Sequence, residues 1–354
     1  MINTKSTNKE FHGYPGNGTI LCDNDVRSLI TESNLLVYLV KQKKLSAVVV
    51  TLCLSFLLLT QCSKTEPSLI SVRPEKAPNG VILESVTING LDADFFHGTS
   101  TKPQMALVLL GGSEGGRYWS YHPEFIQELI KHGFCVLSLP YFGTDNLPIN
   151  LRSIPLEYFS KAFHWLSLQE KQVIPNDYGL VGVSRGAELA LLLGSRYPEV
   201  KGIVAIDPSS VVFPGPPTGF LDALRGQHSA WSENGKELSF VTVPFSWTTI
   251  RGMISGKRTS MFEKALKNTQ RVKMSEIPVE KIQGPILLVS FTHDQVWPST
   301  LMSEQIMNRL HENNFLFHYE HVAYDGGHSE WSVEPRRTKI LTFLREQLLN
   351  PISK

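Results

Sequence analysis

The chain has 354 residues, with 34 Lys and Arg against 33 Asp and Glu and a net charge of +1. That balance argues against nucleic acid or another polyanion as a partner, and a hydrophobic content of 42% allows a sizeable core. The four cysteines, Cys22, Cys53, Cys62 and Cys135, stand at no zinc or redox spacing and give no disulfide framework.

Residues 1–40 are polar and rich in Asn, Thr and Ser, without a clear period until Leu35-Leu-Val-Tyr-Leu-Val40. They read either as a long n-region or as an over-extended start, with the true start nearer residue 39, and are set aside for fold reasoning. Residues 41–62 form a signal-type segment: Lys41-Gln-Lys-Lys44 precedes the uncharged run Leu45–Leu59, which leads to Leu59-Thr-Gln-Cys62. The run is shorter than the ~20 residues a spanning helix prefers. It resembles a bacterial lipoprotein signal with Cys62 as the lipidated residue, although Gln61 replaces the usual small residue. An uncleaved anchor and ordinary signal cleavage are the alternatives. The expectation is an exported or membrane-attached protein, cytoplasmic if this segment is not a signal. Residues 63–79 carry Pro67, Pro74 and Pro78 and read as a tether.

From residue 80 the pattern changes. Val81–Val86 and Asp92–Phe96 flank Asn89-Gly90 and predict a hairpin. Met105–Leu110 is an apolar strand followed by Gly111-Gly-Ser-Glu-Gly-Gly116. A helix is expected over Phe125–Lys131, a strand over Phe134–Leu139 and an amphipathic helix over Leu156–Leu168. Leu180–Val183 reads as a strand, Ala187–Leu193 as a packed helix and Gly202–Ile206 as a strand. After an irregular stretch come the strand Pro285–Ser290, a helix over Thr300–Leu310, the strand Phe315–Val322 and a helix over Arg337–Leu349. Strands separated by helices predict an α/β domain over 80–350, with a mostly parallel sheet and helices on both faces. Residues 211–283 interrupt the alternation between the strand ending near Ile206 and the one starting near Pro285. With Pro214, Pro216 and Pro217 and several aromatics, they are expected to form a cap insertion.

The chemistry gathers around Gly182-Val-Ser184-Arg-Gly186, a Gly-x-Ser-x-Gly between a strand and a helix. That context is what a nucleophile elbow requires, and it makes Ser184 the candidate nucleophile. A serine hydroxyl needs a base, and the base needs a carboxylate to orient it. In chain order, Asp294 follows the strand ending at Phe291 and is the candidate acid. His328 follows the strand ending at Val322 behind two glycines and is the candidate base. Asp207, at the end of the strand after Ser184, is a rival acid or else opens a turn. His293 adjoins Asp294 too closely in sequence to orient against it and reads as shaping its loop, and Asp325 reads as turn support. The oxyanion hole is expected from the backbone amides of Arg185 and of the Gly112-Ser113 region. A phosphate-binding loop is rejected because neither Gly-x-Gly-x-x-Gly nor Gly-Lys-Ser/Thr occurs there. No His, Glu and Cys set stands at metal spacing, so neither a metal nor a cofactor is implied.

With these residues in place, the chain resembles the C-terminal α/β-hydrolase (dienelactone-hydrolase-like) domain of the acyl-CoA thioesterase and bile acid-CoA:amino acid N-acyltransferase family. The resemblance rests on Gly182-Val-Ser-Arg-Gly-Ala-Glu-Leu-Ala, on Ile277–Ser290 leading to Asp294-Gln-Val-Trp-Pro-Ser, and on Gly327-His328. It covers roughly residues 80–350 and implies nucleophile, acid and base at Ser184, Asp294 and His328. It also implies a small acyl ester or acyl-thioester substrate. Thioesterase-type members carry an N-terminal β-sandwich, where this chain offers a tether and a hairpin. The N-acyltransferase branch typically has a cysteine nucleophile, so Ser184 favours hydrolysis. The expected function is a serine acyl hydrolase. Aminoacyl transfer, and a non-catalytic tethered binding protein on the same scaffold, are the alternatives.

Overall fold

The computed structural model describes residues 71–217, 222, 226–244 and 255–350. The expectations for the N-terminal extension, the signal-type segment and Cys62 lie outside these residues. So do residues 63–70 of the tether and parts of the insertion.

Eleven strands are described: β1 (Ile82–Ile88), β2 (Leu91–His97), β3 (Gln104–Leu110), β4 (Phe134–Ser138), β5 (Ile154–Pro155), β6 (Val173–Val183), β7 (Val200–Ile206), β8 (Trp231–Glu233), β9 (Lys236–Glu237), β10 (Ile286–Phe291) and β11 (Tyr319–Tyr324). Eight of them form one sheet in the order β1-β2-β4-β3-β6-β7-β10-β11. The hairpin β1–β2 closes through Asn89 and Gly90, both at positive φ (52° and 77°). Asn-Gly accepts that left-handed geometry readily, and it matches the twist of the flanking strands. β2 also runs antiparallel to β4, while every pair from β4 through β11 is parallel.

Strands buried on both faces carry continuous apolar runs, which is why β3 and β10 stand out in the sequence. Their side chains alternate between two cores. Ala106, Val108 and Leu110 of β3 join Leu180, Ile203 and Leu288 on one face. Helices α2 (Glu157–Ser167), α3 (Arg185–Gly194) and α6 (Ser299–Glu312) pack there. Leu107 and Leu109 point to the other face, against α1 (Pro123–Lys131) and α7 (Arg336–Leu344). α1 begins on Pro123, whose missing N–H would have no helical partner in any case. α3 is buried along its whole length, which explains its run of small and apolar residues.

Some boundaries differ from expectation. The strand predicted from Phe315 begins at Tyr319, because α6 ends in a turn with Asn314 at φ 49° and residues 315–318 are still returning towards the sheet. The last helix keeps α form to Leu344 and continues as a π-turn over Arg345–Leu349.

The described part of the insertion has a small core of its own. α4 (Thr259–Leu266) and α5 (Thr269–Ser275) lie within it, α5 being capped by Asn268, whose side chain accepts from the Arg271 amide at 3.1 Å. Val211, Phe213, Val241 and Met261 pack with Trp297 and Met302, which follow β10. A second, three-stranded sheet, β5-β8-β9, joins Ile154-Pro155 to the insertion. Among the described residues, no helix is long and apolar enough to cross a membrane.

Candidate active site

In a parallel sheet, the loops at the carboxyl ends of adjacent strands open on one edge. β6, β7, β10 and β11 are consecutive neighbours, and their following loops carry Ser184, Asp207, Asp294 and His328.

Ser184 sits between β6 and α3 at φ 55°, ψ −115°, a region that non-glycine residues rarely occupy. The surroundings over-determine this turn. The Ser184 amide donates to the Ile206 carbonyl at 2.8 Å, and the Ser184 carbonyl accepts from the amides of Ala187 and Glu188. A Cβ on Gly182 would lie 2.1 Å from the Gly186 carbonyl oxygen. Both flanking positions must therefore be glycine, and the hydroxyl is left in place at the helix N-terminus.

The three groups read from the sequence come together. Ser184 Oγ lies 3.0 Å from His328 Nε2, and His328 Nδ1 lies 2.9 Å from Asp294 Oδ2. A carboxylate can only accept, so Nδ1 carries the proton and Nε2 is free to accept from the serine hydroxyl. Asp294 is itself fixed: Oδ1 accepts from the amides of Val296 (2.9 Å) and Trp297 (3.2 Å), and Oδ2 accepts from Ser299 Oγ at 2.7 Å. The Trp297 ring stands edge-on to the imidazole with centroids 6.2 Å apart, and Thr259 Oγ1 donates to the Asp294 carbonyl at 2.7 Å. The insertion thus grips the loop that holds the acid.

Burial works against a charged imidazole at His328. The hydrogen bond to Asp294 and the charges of Asp207, Asp294 and Glu114 outweigh it, leaving the ring more basic than an ordinary histidine.

The remaining candidates sort clearly. Asp207 lies beside the same imidazole, its Oδ2 3.7 Å from His328 Nδ1, and accepts from the Ser329 amide at 2.8 Å. Burial pushes its carboxyl up to about 7. His293 faces Asp325 at 2.7 Å in an exposed pair and takes no part in the chain to Ser184. The donor atoms of Asp207, Asp294 and His328 lie within 4.8 Å of one another, a makeup that could suit a metal ion. Here the Nδ1 proton and the Ser299 hydroxyl already engage Asp294 Oδ2, so the hydrogen-bonded chain to Ser184 accounts for the cluster.

The Gly-rich loop after β3 holds a group that the sequence reading missed. The Gly112 amide donates to Glu114 Oε1 at 2.7 Å. A Cβ on Gly112 would meet Glu114 Oε2 at 2.6 Å and Ser184 Cβ at 3.2 Å, so this carboxylate lies close to Ser184. Glu114 is exposed as a residue, but the protein around its carboxylate partly desolvates it and raises its pKa, opposed by its own amide, the Gly112 amide and the His328 charge. Ser113 is exposed beside it. Arg185 turns its side chain away from the site: Nη1 donates to Glu188 Oε2 at 2.6 Å and Nη2 to the Phe213 carbonyl at 3.1 Å. A glutamate two residues past a glycine gave no signal in the sequence beyond its place in the Gly-rich loop.

Comparison with known proteins places this geometry in context. The family profile described as "BAAT / Acyl-CoA thioester hydrolase C terminal" matches residues 154–330, a span that contains Ser184, Asp294 and His328. The acyl-coenzyme A amino acid N-acyltransferase 2 of Mus musculus is 30% identical over 182 residues, 51% of this chain and 39% of that protein. The peroxisomal succinyl-coenzyme A thioesterase of Mus musculus is 29% identical over 179 residues, 51% of this chain and 38% of that protein. The acyl-coenzyme A thioesterase 6 of Homo sapiens is 28% identical over 231 residues, 65% of this chain and 50% of that protein. The aligned part is thus half or less of these relatives. Among solved structures, the acylaminoacyl peptidase of Pyrococcus horikoshii superposes with a TM-score of 0.52 at 14% identity, covering 78% of this chain and 43% of that one. The Pyrococcus furiosus esterase Pf2001 gives 0.50 at 16% identity, covering 78% and 97%. At such identities the likeness speaks for the fold alone, an α/β-hydrolase. The chain belongs to the BAAT and acyl-CoA thioester hydrolase C-terminal family.

Proposed function

We propose that this protein is a serine acyl hydrolase acting on an acyl thioester or ester. The observation that carries the reading is the unbroken chain Ser184 Oγ, His328 Nε2, His328 Nδ1, Asp294 Oδ2, with links of 3.0 and 2.9 Å. Ser184 attacks the acyl carbonyl while its proton passes to His328 Nε2. Asp294 holds the ring in the tautomer this requires and stabilises the imidazolium that results. The imidazolium then protonates the leaving thiolate or alkoxide as it departs, leaving an acyl-enzyme. Water attacks that ester with His328 again as base, releasing the acid and restoring Ser184.

The tetrahedral oxyanion needs fixed donors. The Arg185 amide, first in α3, is one by position. The Gly112 amide becomes another once Glu114 swings off it, so formation of this hole is coupled to movement of that side chain. Acyl-CoA is the substrate class favoured by the relatives, which include acyl-coenzyme A thioesterases. The relatives also include amino acid N-acyltransferases, so glycine as the second acyl acceptor belongs in the test.

Purified protein is assayed with short p-nitrophenyl esters and acyl-CoAs of increasing chain length, with and without glycine. Turnover is expected to fall by about 10⁶-fold in Ser184→Ala, with complete loss of fluorophosphonate labelling. Hydrolysis undiminished in Ser184→Ala would sink the assignment. Acyl-glycine in place of free acid would turn it towards transfer.

A further inference from the structure

We propose that Asp207 is a second orienting carboxylate for His328, a positioning residue that acts with Asp294 on the imidazole Nδ1–H. This rests on the reading of Ser184 as nucleophile and His328 as its base.

Asp207 ends β7, and β7 pairs with β10, so Asp207 and Asp294 are brought to one side of the imidazole by adjacent strands. The Asp207 side chain is fully buried. Its Oδ2 lies 3.7 Å from His328 Nδ1 and accepts from the amide of Ser329, the residue next to the base. Its Oδ1 is buried with no hydrogen-bond partner among the described residues. Leaving a carboxylate oxygen buried and unpaired is costly, and such groups persist where their charge has a use. Accepting one amide proton does not require a carboxylate, since an asparagine oxygen would serve.

The backbone fixes the placement. Asp207 has φ 50°, its amide donates to the Val289 carbonyl at 2.7 Å, and its carbonyl accepts from Trp297 Nε1 at 3.1 Å. The residue is held in a strained conformation by β10 on one side and the acid loop on the other.

In the acylation step the Ser184 proton moves to Nε2 while the oxygen–carbon bond forms, and Nδ1 keeps its own proton. The imidazolium then faces Asp294 at hydrogen-bond distance and Asp207 just beyond it, with Glu114 as the other charge acting on the ring. If Asp294 is neutralised, a shift of about 1 Å brings Asp207 Oδ2 within hydrogen-bond reach of Nδ1. Asp207 can then take over the orienting role.

The test compares full-length wild type, Asp207→Asn, Asp294→Asn and the double variant. The readouts are the rate of fluorophosphonate labelling and p-nitrophenyl acetate hydrolysis across pH. Replacing the lone orienting carboxylate of a serine triad by its amide costs about 10⁴-fold in turnover. Here Asp294→Asn is expected to cost about 10- to 100-fold, and the double variant at least about 100-fold more. Asp207→Asn alone should lower kcat by less than about 10-fold, leave KM unchanged and move the acid limb of the pH profile down. Equal rates in Asp294→Asn and the double variant, with an unmoved limb in Asp207→Asn, would overturn the proposal. Should the Asp207 variants fail to fold, the His328 Nδ1–H resonance in Asp294→Asn decides. A persistent downfield signal supports Asp207 as its acceptor, and loss of the signal counts against it. Failure of the underlying reading is distinct, because wild-type labelling would then no longer depend on Ser184.

Discussion

The Cβ that an alanine at position 186 would carry falls 2.2 Å from the carbonyl oxygen of Leu110, the last residue of β3. The first turn of α3 therefore rests directly on the backbone leading into the Gly111-Gly112 loop. A second backbone atom, the Gly111 carbonyl oxygen, lies at 2.4 Å from the same point. Neither obstacle is a flexible side-chain end. Gly186→Ala must push α3 away from the loop or displace both, and overpacking of this kind typically costs about 1–3 kcal/mol and sometimes more. The expected outcome is a lower urea midpoint for Gly186→Ala together with slower fluorophosphonate labelling, since the same shift moves Ser184. An unchanged midpoint would mean that the loop yields easily.

Two residues further along α3, Glu188 anchors the insertion from below. Its Oε2 accepts from Arg185 Nη1 at 2.6 Å, and its Oε1 accepts from Trp231 Nε1 at 2.6 Å and from the Phe213 amide at 3.4 Å. Arg185 is 6% exposed and Glu188 fully buried, so solvent cannot replace either partner. Removing one member of a buried pair strands the other charge, at a cost of about 3–5 kcal/mol. Glu188→Ala is expected to lose stability in that range by denaturant unfolding and to expose Trp231, read as a red shift in its fluorescence. Glu188→Gln keeps an acceptor for Trp231 and should lose less.

Much of this arrangement can be read from the chain, for reasons visible at particular residues. β3 and β10 are buried on both faces and so carry uninterrupted apolar runs. Ser184 announces itself through Gly182 and Gly186, because the elbow excludes side chains on either side. His328 comes two residues after Gly326, whose φ of 157° lies where side chains are rarely found, although the nearest obstacles to a Cβ are the movable ends of Glu330 and Arg336. What could not be read depends on neighbours distant in sequence. Asp207 stood in the sequence as a rival to Asp294, but that both carboxylates reach His328 depends on β7 lying beside β10 and β10 beside β11. The Glu114 carboxylate on the Gly112 amide depends on a side-chain conformation that no spacing encodes. Phe315–His318 have the apolar character of a strand, yet pairing with β10 starts only at Tyr319.

The electrostatics around His328 predict opposite pH trends for activity and stability. In the proposed mechanism His328 acts as base only when neutral. Its folded-state affinity for a proton is raised, since Asp294, Asp207 and Glu114 overcome the effect of burial. The acid limb of kcat/KM should therefore lie above the ordinary imidazole value of about 6.5, with activity rising as pH passes through it. For stability the sign is reversed. A histidine with a raised folded pKa contributes stability that is complete below its unfolded pKa and is lost as pH rises through the folded one. Asp207 adds in the same direction. Burial holds its carboxyl up at about 7 against the ordinary 3.8, so the folded state binds more protons than the unfolded chain between those values. Thermal melts across pH should thus show the contribution of this cluster declining from about pH 4 upwards while hydrolysis increases. His328→Gln keeps Asp207 and Asp294 but removes the imidazole, and should flatten the part of that decline lying above pH 6.5. A melting profile that climbs with pH in wild type and is unaltered in His328→Gln would show that the cluster does not hold the extra proton.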